Sequence, residues 1–395
     1  MKTILSFFLL LLTQTQQSLT YTPLSDHSLK HLIPPSIDPT TSPTHPDPDF
    51  DPVTGALLSP ILIPRVPGTP NHARVQEHFT SFIRTHLDPS WTVEWHNTTS
   101  TTPTTGARQV PFQNLILRRD PPWIRERGAE GEGEVARLTL AAHYDSLYLP
   151  EGFVGAVDSA VPCALLLFVA QAVDRALTRR WESMSMGGVG EGSLEEEKGV
   201  QILLLDGEEA WERWSDEDSL YGSRALAEAW EKTRYEVGSS FATPLEAISL
   251  FVLLDLLGGP EPNIPSYFPT THWAYQNLAQ IEERFRKLGV LETKPRKPFL
   301  AEREKEAVQF FRGYVQDDHV PFMQRGVHVL HIIPTPFPPV WHTMDDDGAH
   351  LDVPTIRDWA RIMTAFVAEW MDLEGYLPAV EAGKPESRYH EKEEL

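Results

Sequence analysis

The chain has 395 residues, and its 34 Lys and Arg against 56 Asp and Glu leave a formal charge of −22 with no long basic run to neutralise phosphates, which excludes a nucleic-acid binder. Apolar residues make up 41% and charged residues 23%, with 11 Trp and 18 Phe, enough for a large core, so global disorder is excluded as well. The single cysteine, Cys163, can form no intrachain disulfide, and its apolar setting marks it as a buried small hydrophobe rather than a nucleophile.

In chain order, Lys2 precedes an apolar run from Ile4 to Leu12 and then polar Thr13 to Gln17, the order of a secretory signal peptide at 1–20. An uncleaved short anchor is the alternative, and no second stretch reads as a membrane span. Residues 21–70 form a Pro-, Asp-, Thr- and Ser-rich lead expected to wrap the surface in extended backbone. A single catalytic domain is expected at 71–376, with a charged tail at 377–395. Strands are expected at 91–95, 113–117, 136–142, 200–205, 248–255 and 327–333. Helices are expected at 160–180, 218–232, 273–288 and 355–373. Loops are expected at 98–106 and 119–134, and the Gly-, Met-, Ser- and Glu-rich stretch 183–199 reads as a disordered insertion. Asn97-Thr98-Thr99 is a glycan acceptor sequon. Strand and helix in alternation predict an α/β sandwich whose mixed, partly parallel central sheet is flanked by helices on both faces. In such sheets ligands bind beyond the carboxyl ends of the strands.

The chemistry-bearing residues sit at those ends. His143, the pair Glu208-Glu209 and Asp255 close three expected strands, while Asp158 and His342 lie in loops. Imidazole with carboxylate and no thiolate is the ligand mix of a catalytic zinc site with an open position. Asp145, two residues after His143, is placed to orient that ring. Asp158 could instead cap the following helix, but Asp255 ends the apolar run 248–254, where an unpaired acid would cost several kcal/mol. Five ligands for a two-zinc aminopeptidase are also present, as His143, Asp158, Glu209, Asp255 and His342.

His143-Tyr144-Asp145-Ser146, Val154-Gly155-Ala156-Val157-Asp158-Ser159-Ala160, Asp206-Gly207-Glu208-Glu209-Ala210, Asp218-Ser219-Leu220-Tyr221-Gly222-Ser223-Arg224, Gln316-Asp317-Asp318-His319 and Phe337-Pro338-Pro339-Val340-Trp341-His342-Thr343 together resemble the secretory glutaminyl-peptide cyclotransferases, over about 110–373. The resemblance implies a zinc aminopeptidase-like fold and one zinc ion per chain held by Asp158, Glu209 and His342. It implies Glu208 as general acid/base, with Asp255 and Asp317 in a hydrogen-bonded network beside it, and a cis Asp158–Ser159 bond. Trp214, Gln316, His331, Phe337 and Trp341 are implied at the substrate pocket. The activity implied is cyclisation of N-terminal Gln, and by extension Glu, of peptides and proteins, by a secreted or lumenal monomer without a stable membrane span. The rivals are a secreted zinc metallo-aminopeptidase and an inactive peptidase-like binding module. Two departures from the family stand beside the pocket: Ala142 occupies the place of a second cysteine that would pair with Cys163, and the loop 147–153 is short.

Overall fold

The structure, a computed structural model, describes residues 21–32, 47–186, 197–310 and 314–377. The expected signal peptide, the middle of the lead (33–46), most of the expected insertion (187–196) and the tail from 378 lie outside the described residues. All six expected strands are present, as β1 (Thr92–Ser100), β2 (Val110–Arg119), β3 (Ala136–His143), β4 (Lys198–Leu205), β5 (Ile248–Leu254) and β6 (Val329–Ile332). They form one sheet in the order β1-β2-β4-β3-β5-β6. The pairs β1–β2 and β2–β4 are antiparallel, and β3–β4, β3–β5 and β5–β6 are parallel.

The described helices are α1 (Asp26–His31), α2 (Pro70–His86), α3 (Pro122–Glu126), α4 (Val161–Met186), α5 (Tyr221–Lys232), α6 (His272–Leu288), α7 (Val320–Met323) and α8 (Val353–Trp370). Strand alternation divides them into two layers. Leu138, Leu140, Leu204, Val252 and Leu254 face a large core shared with α2, α4, α6 and α8. Ala141, Leu203, Phe251 and Leu253 face a smaller core against α5 and α7. The central strands are therefore buried on both faces, as a parallel region flanked by crossover helices requires. After β3 the chain passes through α4 to β4 on one side, then through α5 to β5 on the other, so the strand order reverses around β3. A crevice opens at such a reversal.

Three expectations are corrected. First, α4 is itself long and apolar enough to cross a bilayer, contrary to the reading that no second stretch is, but it is packed inside the protein against β3 and α8. Second, the lead does not merely wrap the surface: Leu24, Leu29, Phe50, Leu57, Leu58 and Ile61 are core residues. Asp47 and Asp51 fold the Pro-rich segment back by accepting the amides of Asp49, Phe50, Val53 and Thr54. The helix α2 that follows starts where Thr69 accepts the amide of His72 and Pro70 takes the first helical position. Third, the expected loops are shorter, since β1 runs through Asn97 to Ser100, 119–134 holds α3 and a 3-10 turn, and α4 continues to Met186.

If the lead belongs to the core, Leu58→Ala should destabilise the protein by about 2–5 kcal/mol in denaturant unfolding, whereas Val53→Ala, at 81% exposure, should stay within about 0.5 kcal/mol of the parent. Equal effects would return the lead to the surface.

Candidate active site

The carboxyl ends of β3, β4 and β5 deliver His143, the turn carrying Glu208 and Glu209, and Asp255 to the crevice. The β4 turn is tight: Gly207 has φ 77, and a Cβ there would meet the Phe112 ring at 2.3 Å. Its carbonyls at 206–208 accept the amides of Gly222, Tyr221 and Leu220, fastening the turn to the start of α5.

Asp158 lies in the irregular segment Ala156–Ala160 before α4, and the Asp158–Ser159 peptide is cis, as expected. It does not cap the helix, because its oxygens face His143 Nε2 at 3.0 Å and His342 Nε2 at 3.4 Å. His342 Nε2 is 3.6 Å from Glu209 Oε2. His342 holds φ 55, a left-handed conformation that a non-glycine residue keeps only where its surroundings enforce it. Asp158, Glu209 and His342 thus converge, and the site's donor set can be tested for fit. Bonds of about 2.0–2.2 Å in a tetrahedron separate ligand atoms by roughly 3.3–3.6 Å, which the histidine distances match. Glu209 Oε1 is buried without a hydrogen-bond partner, as expected of an oxygen left for a cation. The residues fit a metal.

Asp145 does more than orient a ring. Its two oxygens accept the amides of Glu208 and Glu209, each at 3.1 Å, and so set the turn bearing both acids. His143 Nδ1 lies 3.4 Å from Asp145 Oδ1, an electrostatic contact without hydrogen-bond alignment. Burial alone would lower the His143 pKa, but Asp145, Asp158 and Asp255 outweigh it and hold the ring well above its ordinary value. Asp255 takes the Ser159 hydroxyl and the Leu256 amide, and burial with nearby Asp317 raises it to about 6.

Glu208 is buried, and its pKa is pushed well above the carboxylate range by desolvation and by Glu209, Asp317 and Asp318. A carboxyl raised in this way is suited to take and return a proton. Asp317 receives His331 Nε2 at 2.8 Å, so His331, itself buried, stands behind that acid rather than on an open wall. Asp317, His319 and His331 form a further cluster in which desolvation keeps His319 well below its ordinary value.

The expected aromatics fall into two groups. Trp341 stacks on His342 at 3.9 Å and meets Phe337 edge-on at 4.8 Å. Trp214 donates its indole N–H to Gln316 Oε1 at 3.0 Å, joining the loops after β4 and before α7. Trp214 and Trp341 remain 37% and 38% exposed, as rings free to receive a ligand would be.

Sequence reasoning missed four supports. Asp346 accepts the Val157 amide at 2.7 Å, and burial with nearby Asp158 pushes it up to about 7. Asp218 accepts the amides of Trp211, Glu212 and Arg213, bracing the loop of Trp214. Ser159 holds Asp255, and Arg65 sits fully buried beneath the site. Asp218 lay within a quoted motif and Asp346 three residues beyond another, where an acid that caps backbone looks the same as one that reacts. Nothing in the sequence around Arg65 signals its place.

Comparison with known proteins agrees with this fold. Residues 128–367 match the model of Peptidase family M28. The chain is 40% identical over 325 residues to the glutaminyl-peptide cyclotransferase-like protein of Bos taurus, covering 80% of this chain and 75% of the relative. It is 40% identical over 321 residues to the glutaminyl-peptide cyclotransferase of Gloydius blomhoffii, covering 80% of each. Among solved structures it is similar to the Macrostomum lignano glutaminyl cyclase, with TM-score 0.67 and 28% identity over 90% of this chain and 96% of the other. A leucine aminopeptidase precursor of Bacteroides thetaiotaomicron, at TM-score 0.51 and 18% identity over 81% of this chain and 97% of the other, shares the fold.

Because Asp145 holds both glutamates through their amides, Asp145→Ala should weaken metal binding or activity by about 10–100-fold. Titration of the purified variant with zinc against a chromogenic chelator, alongside its turnover, checks this; unchanged values in both would remove Asp145 from the site.

Proposed function

The chain belongs to Peptidase family M28 and, within it, to the glutaminyl-peptide cyclotransferases, and on that premise we propose that it closes the N-terminal glutamine of peptides and proteins into pyroglutamate with release of ammonia, using one zinc ion per chain. The observation that carries this reading is the three-ligand group Asp158, Glu209 and His342 with the buried acid Glu208 beside it. Zinc held by those three side chains supplies a Lewis acid that polarises the γ-carboxamide. Glu208 accepts a proton from the α-amine as the amine nitrogen bonds to the side-chain carboxamide carbon, Cδ, and returns it to the departing amide nitrogen, so ammonia leaves and the five-membered ring closes. Such placed proton transfer contributes about 10²–10⁴-fold in rate.

Amine and carboxamide belong to one residue, so the pocket needs only to hold the bent conformer, and orientation supplies much of the acceleration. We assign that holding to Trp341 and Phe337 on one side and to Trp214 with Gln316 on the other, faces that also exclude water from the closing ring. Asp255 and Asp317 keep the charge balance around Glu208, and His331 fastens Asp317 rather than touching substrate. The group His143, Asp158 and Asp255 would be the second metal site of an aminopeptidase. Here His143 bonds to Asp158, and Asp255 is held by Ser159 and Leu256, which favours one ion. The leader-like residues 1–20 and the exposed acceptor Asn97 support a route through the secretory lumen, with Asn97 as the glycan site.

A short Gln-initiated peptide incubated with the purified protein should lose one ammonia by mass spectrometry, with one zinc per chain by elemental analysis. Glu208→Gln should slow the reaction by about 10²–10⁴-fold, and chelation should abolish it. Release of the first residue, or two zinc ions per chain, would favour an aminopeptidase.

A further inference from the structure

Arg65 closes the lead, just before α2, and its guanidinium is fully buried. Its hydrogen bonds go to backbone carbonyls rather than to a carboxylate. Nε donates to Tyr144 O at 2.8 Å, Nη1 to Ile61 O, Ile63 O and Val154 O, and Nη2 to Asp145 O at 3.3 Å and Gly155 O at 3.0 Å. The Arg65 amide donates to Ser146 Oγ at 2.7 Å. A buried cation tolerates this setting only when its donors are well satisfied, and the planar fork of arginine can reach carbonyls on several strands of chain at once.

Apart from Ile61 O and Ile63 O in the lead, those carbonyls belong to the two ends of the connection between β3 and α4, at 144–145 and 154–155. One follows β3 and contains Asp145, whose carboxylate fixes the amides of Glu208 and Glu209. The other precedes α4 and contains Gly155, three residues before Asp158. Gly155 is left-handed at φ 65, and a Cβ there would meet Asp158 O at 2.2 Å, so the backbone at 155 and the position of Asp158 are set together. Arg65 therefore stands one hydrogen bond away from the supports of two candidate ligands and of the candidate acid/base.

The geometry points to Arg65 as the positioning residue of the metal site, fixing the separation between the loop of Asp158 and the turn of Glu208 and Glu209, and through it metal affinity and turnover. This rests on the metal reading of Asp158, Glu209 and His342, and not on the identity of the substrate. Lysine keeps the charge but has three donors on a flexible stem, so it cannot hold the same carbonyls.

The test uses the full chain as Arg65→Lys and Arg65→Met, with Leu58→Ala as a variant that weakens the core away from the site. Zinc affinity is read by competition with a chromogenic chelator, folding by circular dichroism, and kcat and KM with a Gln-initiated peptide at saturating zinc. The expected result is folded Arg65 variants with zinc Kd raised about 10–100-fold and kcat reduced more than KM is changed, while Leu58→Ala unfolds earlier with the parent's zinc Kd. A folded Arg65 variant whose zinc Kd stays within about twofold of the parent overturns the inference, as does an equal rise in Leu58→Ala. If Arg65→Met does not fold, Arg65→Lys decides, and failure of both to fold overturns it by making Arg65 a residue of the fold alone. A parent that binds no zinc removes the metal reading itself. A parent that binds zinc and releases ammonia keeps the proposed function whatever the Arg65 variants do.

Discussion

The constraint on which the rest depends is the burial of several carboxylates in one small volume. Asp145, Asp158, Glu208, Glu209, Asp255, Asp317, Asp318 and Asp346 are all buried around the ends of β3, β4 and β5 and the loops beside them. Uncompensated, such a cluster would protonate or unfold the chain, because desolvation and mutual repulsion both disfavour the charged forms. Burial first, and repulsion from the neighbouring acids after it, raise Glu208, Glu209, Asp255, Asp318 and Asp346 above the ordinary carboxylate range.

The chain satisfies these acids unevenly, and the unevenness separates structural from chemical roles. Asp145 and Asp346 accept backbone amides, Asp255 a hydroxyl and an amide, and Asp317 an imidazole. Asp158 faces two histidines, which keep it well below the ordinary carboxylate range despite its burial. Glu209 keeps a buried oxygen with no partner. A low-dielectric interior makes an unpaired polar atom expensive, and this oxygen belongs to the side chain whose other oxygen lies 3.6 Å from His342, in the group that fits a cation. In the proposed reaction the proton-transfer role falls to Glu208, a buried acid beside the candidate ligands with Glu209, Asp317 and Asp318 as like-charged neighbours.

The sheet was legible because each strand is a short apolar or β-branched run ended by a polar break, and His143, Glu208, Glu209 and Asp255 were legible as candidates because they stand at those breaks, where ligands bind. The failures share a physical origin. The burial of 47–65 rests on Asp47 and Asp51 accepting local amides, which turns a Pro-rich segment inward without any periodicity to read. Arg65 has no local pattern, since all but two of its guanidinium contacts lie about 80–90 residues away. Asp145 was read as orienting His143 because they are two residues apart, yet the amides that it accepts are 63 and 64 residues away.

The missing cysteine at Ala142 follows from the same logic. Ala142 and Cys163 are both fully buried, and the Cys163 thiol, pushed up to about 12 by burial, keeps its proton and donates to the His143 carbonyl at 3.1 Å. A disulfide there would act chiefly by restricting the unfolded chain. It would not by itself fix where Asp145 and Asp158 stand. In this chain the native-state contacts there are the thiol on His143 O, the Tyr144 amide on Leu205 O at 2.8 Å, and Arg65 on both ends of the β3–α4 connection. With Cys163 free, the geometry of the site rests on these native-state contacts rather than on a covalent staple.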